Sequence, residues 1–164
     1  MLYDTRIKTE TLVKLVTAGQ TISGVMAVAL ASGYSDVVVS AERHSGLRLP
    51  AVGVVSVVSG ISTGSGGFGV VSGQSVDMVF WGLVTTPFSG NVASGFAGKF
   101  LYVGSGGLVV NQSGFMDGAS SGTGPGILSG ELVQRLGIAV SGGIFVQLDP
   151  NITSGLLSGL LGQY

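Results

Sequence analysis

The chain has 164 residues, of which only 9% are charged, and its formal net charge is -1. Its mean hydropathy is +0.62, and it contains no cysteine. A chain of this length forms one domain or two small ones. The near-neutral charge argues against nucleic acid as a partner, and the missing cysteine excludes disulfides and thiolate metal sites. We expect the apolar surface to be covered by other subunits.

Charged residues are concentrated near the start of the chain. Lys8 and Lys14 share one parity along the sequence, and Val13 and Leu15 share the other. This alternation favours an extended N-terminal arm or edge strand over residues 1–17, with a short helix over residues 9–16 as the alternative. The arm would either tether a partner subunit or form the first strand of the same domain. No secretory signal pattern is present, so export is not expected.

Ser-Gly dipeptides recur along the rest of the chain, for example at Ser32-Gly33 and Ser72-Gly73. Glycine permits the positive φ of tight turns, and serine hydrogen-bonds its own backbone there. Runs of β-branched residues such as Val37-Val38-Val39 lie between these dipeptides. Such runs favour strands. The pattern predicts an all-β fold, a small β-barrel or β-sandwich built from short strands and hairpins.

One pattern of strand, glycine turn, strand and polar excursion occurs twice. The first copy begins at Ala18-Gly19 and ends in a strand after Pro50-Ala51; the second begins at Ala97-Gly98 and ends in a strand after Val133-Gln134. The repetition predicts a duplicated β domain over residues 18–150. Residues 151–164 form an apolar tail, which we expect to dock on its own or a neighbouring subunit.

Two stretches without charge, residues 15–35 and 49–76, are long enough to cross a bilayer as helices. The second stretch contains seven glycines. Each glycine in a helix interior costs about 1 kcal/mol relative to alanine. We therefore expect no membrane partner.

Four blocks of apolar and glycine residues stand out in the second half of the chain: Leu101-Tyr102-Val103, Gly106-Gly107-Leu108, the strand from Val133 to Ala139 and Ile144-Phe145-Val146. These blocks resemble a group of bacteriophage virion proteins. A central hairpin, from Ser72 to Val84, is also similar, and the likeness covers residues 18–150. The resemblance implies a capsid decoration (cement), head-fibre or tail-fibre protein located in the virion. It also implies a protein that is commonly trimeric and has no catalytic residues.

Groups that could carry catalysis or bind a ligand are isolated along the sequence. His44 is the only histidine, and we interpret it as a solvated loop residue; a Ser-His-acid hydrolase is the least favoured hypothesis. Asp117 is a weak candidate for a calcium ligand. The glycine-rich residues 64–69 lack the lysine of a phosphate-binding loop and predict a turn. We expect no enzymatic activity, no cofactor and no metal.

Phe80-Trp81 is the only concentrated aromatic spot. Strand alternation would place these two side chains on opposite faces, so that one could lie in the core and the other could anchor an interface. The further interface candidates lie in the tail: Leu156, Leu157, Leu160 and Leu161. The expected partners are copies of the chain itself, in a homotrimer, and the major capsid protein or another virion protein. The alternative is a tail-fibre or spike module that binds a host receptor or glycan through residues 111–130.

Overall fold

The computed structural model describes residues 11–43, 47–57, 61–62, 68–85, 98–111, 131–140, 143–149 and 153–154. These ranges are all-β, apart from a short 3-10 turn at Ser105–Gly107, which confirms the predicted fold class. The strands are β1 (Leu12–Ala18), β2 (Ile22–Ser23), β3 (Val25–Leu30), β4 (Val37–Ser40), β5 (Gly53–Ser56), β6 (Ile61–Ser62), β7 (Phe68–Val70), β8 (Ser75–Thr85), β9 (Phe100–Val103), β10 (Val109–Asn111), β11 (Leu132–Val133), β12 (Arg135–Val140), β13 (Gly143–Gln147) and β14 (Thr153–Ser154).

Five strands close into a barrel. Their hydrogen-bonded order is β1-β4-β3-β5-β8, and β8 also pairs with β1. The β1–β4 pair is parallel, and the other four pairs are antiparallel. Each strand contributes to one buried apolar cluster, represented by Val16, Val38, Val28, Val55 and Met78. The β-branched residues between the turns therefore fill the barrel interior.

β8 continues beyond the barrel and pairs with β13, and the sheet then extends through β12 and β9 to β10. A second apolar cluster joins this part of the sheet to the barrel wall. Ala27 and Val54 contribute from β3 and β5, and Leu101, Leu136 and Ile144 contribute from the other side. All five are fully buried. β3 and β5 consequently have a core on both faces.

Apart from β1, the order of the nine-stranded sheet is symmetrical about the β8–β13 pair. On one side the strands follow as β8-β5-β3-β4, and on the other as β13-β12-β9-β10. The strand next to β8 is β5, which pairs antiparallel with β3, and the strand next to β13 is β12, which pairs antiparallel with β9. These halves contain the two sequence copies that predict a duplicated domain.

Two polar contacts join the barrel to the rest of the sheet. The Ala51 N–H donates to Oε1 of the buried Gln134 at 2.7 Å, and Nε2 of Gln134 donates to the Ala51 carbonyl at 2.8 Å. The Gly106 N–H donates to Oε2 of Glu42 at 2.9 Å. These side chains satisfy backbone groups that no strand partner reaches.

Only part of the two predicted chain ends is described. β1 occupies residues 12–18, so the end of the predicted arm is a strand of the barrel. Residues 1–10 lie outside the described residues, and so does most of the tail. Thr153 and Ser154 of the tail form β14, which pairs antiparallel with β11.

Candidate interaction surface

β8 carries one extra residue where it leaves the barrel. Val13 of β1 lies opposite Val79, whereas Leu12 lies opposite Trp81, so Phe80 has no residue opposite it on β1. An extra residue of this kind is a β-bulge, which bends a strand and changes the direction of its side chains. The bulge marks the point at which β8 passes from the barrel to the second half of the sheet.

The prediction that one of Phe80 and Trp81 could lie in the core is wrong. Both side chains are exposed, at 38% and 40% of their area. Val79 and Val84 pack against the same apolar cluster, although strict alternation would send an odd and an even residue to opposite faces. The bulge at Phe80 interrupts the alternation on which the prediction depends. The interface role of both aromatic residues stays a prediction.

An apolar face crosses four strands beside the bulge. Trp81 meets Phe145 edge to face, with ring centroids 5.7 Å apart. Leu83 lies opposite Phe145, Phe145 opposite Ile138, and Ile138 opposite Phe100. Residues directly opposite each other share one face of a sheet. These five side chains, all exposed or half-buried, are called the apolar face below.

Arg135 closes the apolar face at its Phe100 end. Its guanidinium carbon lies 4.8 Å from the Phe100 ring centroid, and its Nη2 lies 3.7 Å from Oδ2 of Asp149. Burial raises the pKa of the Tyr102 hydroxyl above its usual value, and the positive charge of Arg135 partly opposes this shift. The charges of Arg135 and Asp149 therefore offset each other at this end of the face.

The first half of β1 is a second exposed apolar region. Leu12, Val13 and Leu15 are 45%, 48% and 66% exposed. β4 pairs with β1 only at Thr17 and Ala18. Within the described residues, therefore, the earlier part of β1 has β8 on one side and no strand on the other.

The other sequence-predicted sites fall largely outside the described residues. This holds for His44, Asp117, residues 64–67, most of the 111–130 loop and the tail leucines Leu156, Leu157, Leu160 and Leu161. Within the described ranges, no three acidic or histidine side chains lie close enough to hold a metal ion. In the same part of the chain, no helix is long and apolar enough to cross a membrane.

The sequence prediction missed Leu83, Ile138 and Phe145 as surface residues. They lie in strands whose opposite face is buried, and only the strand register shows that they form one row. A scan against protein-family models and a search of curated proteins find no match. The described surface offers apolar side chains and an open strand edge, and both are features that bind other polypeptides.

Proposed function

We propose that the chain is a non-enzymatic structural subunit of a bacteriophage virion, a capsid decoration (cement) or head-fibre protein that assembles as an oligomer. The apolar face is the observation that supports this proposal most. Trp81 and Leu83 remain 40% and 39% exposed at its β8 end, in a chain that is only 9% charged. A second subunit on this face would remove these side chains from water. The resemblance of residues 18–150 to virion proteins supplies the class of particle.

Association through the apolar face would be driven by burial. Removing apolar area from water contributes about 25 cal/mol per Å², and a stable interface buries about 1,600 Å² in total. Trp81 and Phe145 are suited to be the anchors, since large aromatic side chains dominate interface energies. The opposite side of this sheet carries Leu136 and Ile144, both fully buried, so the face is held rigid before binding. A rigid surface loses little conformational entropy on association.

The partners proposed are copies of the chain, in a homotrimer, and the major capsid protein. Within the oligomer the apolar face would be covered by a neighbouring subunit. Contacts with the shell would then use surface outside that face. The role is mechanical, because the subunit would hold neighbouring shell proteins together by the area that it buries.

Sedimentation velocity of the full chain at micromolar concentration tests the assembly. The test variant is Leu83→Asn, and the matched control is Leu108→Asn, since Leu108 is 62% exposed but lies outside the apolar face. We expect oligomers for the wild type and the control, and a shift to smaller species for Leu83→Asn. Trp81 is the only tryptophan, so its emission should move to longer wavelength on dissociation. A wild-type chain that stays monomeric contradicts the proposal.

Imaging of phage particles that carry a labelled copy of the chain tests its location. Label distributed over the head supports a decoration or head-fibre protein. Label at the tail tip alone would instead support the tail-fibre alternative, and particles without label would contradict a virion location.

A further inference from the structure

We propose that the open edge of β1 pairs with the same edge of a second copy, antiparallel about a two-fold axis at Val13. The pairing would join two barrels through one continuous sheet. It rests on the proposed self-assembly, but it uses a different part of the surface from the apolar face. The inference depends on three observations: the direction of the backbone groups of β1, its exposure and the position of Lys14.

Hydrogen bonds at the end of β1 show which backbone groups point to each side. The Ala18 N–H donates to the Gln74 carbonyl on the β8 side, at 2.8 Å. The Thr17 N–H donates to the Asp36 carbonyl on the β4 side, at 2.7 Å. Successive residues of a strand send their N–H and C=O groups to alternate sides. The backbone N–H and C=O groups of the odd-numbered residues of β1 therefore point away from β8.

The open part of the edge consists of the backbone groups of Thr11, Val13 and Leu15. β4 pairs with β1 only from Thr17 onward, so it does not reach these three residues. Each supplies an N–H donor and a C=O acceptor on the side away from β8, and among the described residues no strand lies on that side. A row of alternating donors and acceptors is complemented by another extended strand.

The two ends of the nine-stranded sheet differ in exposure. At the β10 end, Val109, Val110 and Asn111 are buried, at 8%, 8% and 5% exposure. At the β1 end, Val13 and Leu15 are 48% and 66% exposed. The β1 end is therefore the one that a second chain can reach without displacing packed residues.

Lys14 selects the register of the pair. A two-fold axis at Lys14 would set the two Lys14 side chains directly opposite each other, and like charges in that position are destabilising. An axis at Val13 instead sets Lys14 opposite Leu12 and Leu15 opposite Thr11. The Nζ of Lys14 already donates to the Ser35 carbonyl at 3.2 Å, toward the turn before β4. An axis at Val13 therefore places an uncharged residue opposite both Lys14 and Leu15.

The pairing of β1 with β4 excludes a two-fold axis at Leu15. It would place Val13 opposite Thr17 of the other copy. The Thr17 N–H is already used by Asp36, and β4 occupies that part of the edge. Of the axes at Val13, Lys14 and Leu15, only the one at Val13 leaves each of the three open residues opposite another open residue on an identical edge.

Cysteine cross-linking tests the pairing and its register, because the chain has no cysteine of its own. In the proposed pair the two Val13 Cα atoms would lie about 5.5 Å apart, within the span of a disulfide. The matched control is Leu15→Cys, on the same open edge and at a more exposed position. The two Leu15 positions would be offset by four residues, about 13 Å along the strands. Under mild oxidation we expect Val13→Cys to form covalent dimers at least ten times faster than Leu15→Cys.

A proline substitution gives a second measurement. Val13→Pro removes an N–H that β8 does not use, so the barrel should still fold, which a melting curve verifies. Val13→Thr is the matched control, because it keeps both the N–H and the shape of the side chain. We expect Val13→Pro to weaken association at least tenfold relative to Val13→Thr.

The outcomes separate this inference from the proposed function. Oligomers that persist unchanged in Val13→Pro, with no faster cross-linking of Val13→Cys, overturn the edge pairing and leave assembly through the apolar face standing. Faster cross-linking of Lys14→Cys than of Val13→Cys overturns the register. A monomeric wild-type chain overturns both proposals.

Discussion

The side-chain amide of Gln134 holds the backbone of Ala51 by both of its polar groups, through hydrogen bonds of 2.7 Å and 2.8 Å. Ala51 belongs to the segment that leads into β5 of the barrel, and Gln134 stands between β11 and β12. Gln134 is only 3% exposed, so water cannot replace these bonds. The Gln134 side chain thus supplies Ala51 with the hydrogen-bond acceptor and donor that a neighbouring strand supplies elsewhere in the sheet.

Replacement of Gln134 by alanine should destabilise the fold strongly. Gln134→Ala leaves a buried N–H and a buried C=O of Ala51 unsatisfied, and each such group costs about 1–3 kcal/mol. Urea unfolding followed by Trp81 fluorescence measures the loss. Gln147→Ala is the matched control because Gln147 is exposed, and it should change stability by less than about 0.5 kcal/mol. Equal losses in the two variants would contradict this role of Gln134.

Two neighbouring glycines should respond differently to alanine. Both have positive φ, +61° at Gly106 and +78° at Gly107. A Cβ at Gly106 would meet nothing within 4 Å, whereas a Cβ at Gly107 would lie 2.6 Å from the Ala27 carbonyl oxygen. Gly106→Ala should therefore cost about 1 kcal/mol, from backbone conformation alone. Gly107→Ala should cost at least about 2 kcal/mol more, because β3 would have to move. Thermal unfolding of both variants provides the comparison.

The extra residue at Phe80 should be dispensable for the fold. Phe80→Ala truncates a side chain that is 38% exposed, and we expect a loss of about 1 kcal/mol. Deletion of Phe80 leaves Met78 and Val84 five residues apart, so strict alternation still sends them to opposite faces and each stays in its own core. We therefore expect the deletion variant to keep a cooperative urea transition and most of a domain stability of about 5–15 kcal/mol. A deletion variant without a folded baseline would show that the bulge is required.

Stability should fall at alkaline pH partly through Tyr102. Burial raises the pKa of its hydroxyl in the folded chain, whereas in the unfolded chain it ionises near its usual value of about 10. The unfolded state therefore loses its proton first, and the stabilisation, complete below pH 10, is lost as the pH rises further. Melting temperatures at pH 8 and pH 11 should differ less for Tyr102→Phe than for the wild type. Tyr34→Phe, at a position 62% exposed, should behave as the wild type.

The strands and turns of this fold were predictable because their signals are local. Ser32-Gly33 and Ser72-Gly73 mark turns in which glycine adopts a φ of +81° and +88°. The valine run that begins at Val37 forms β4. Turn chemistry and β propensity act over a few residues, so the sequence indicates them directly.

The surfaces could not be predicted in the same way, because they depend on long-range register. The parallel contact of β1 with β4 and the closure of the barrel join segments far apart in sequence. The bulge at Phe80 shows only when β8 is paired with β1. Gln134 looks like an ordinary exposed polar residue until its contact with Ala51 is known. The apolar face needs the register of four strands, which no local pattern contains.

The closure of the barrel by β1 and β8 has a kinetic consequence. Leu12 must find Trp81, and Thr17 must find Ser75, across a long intervening loop of chain. Loop-closure entropy delays such contacts, and chains dominated by them fold in milliseconds to seconds. Until β1 pairs with them, β4 and β8 each have an unpaired strand edge. Folding chains would therefore pass through an aggregation-prone state. Fast dilution from denaturant at low protein concentration should therefore give the highest yield of correctly refolded material.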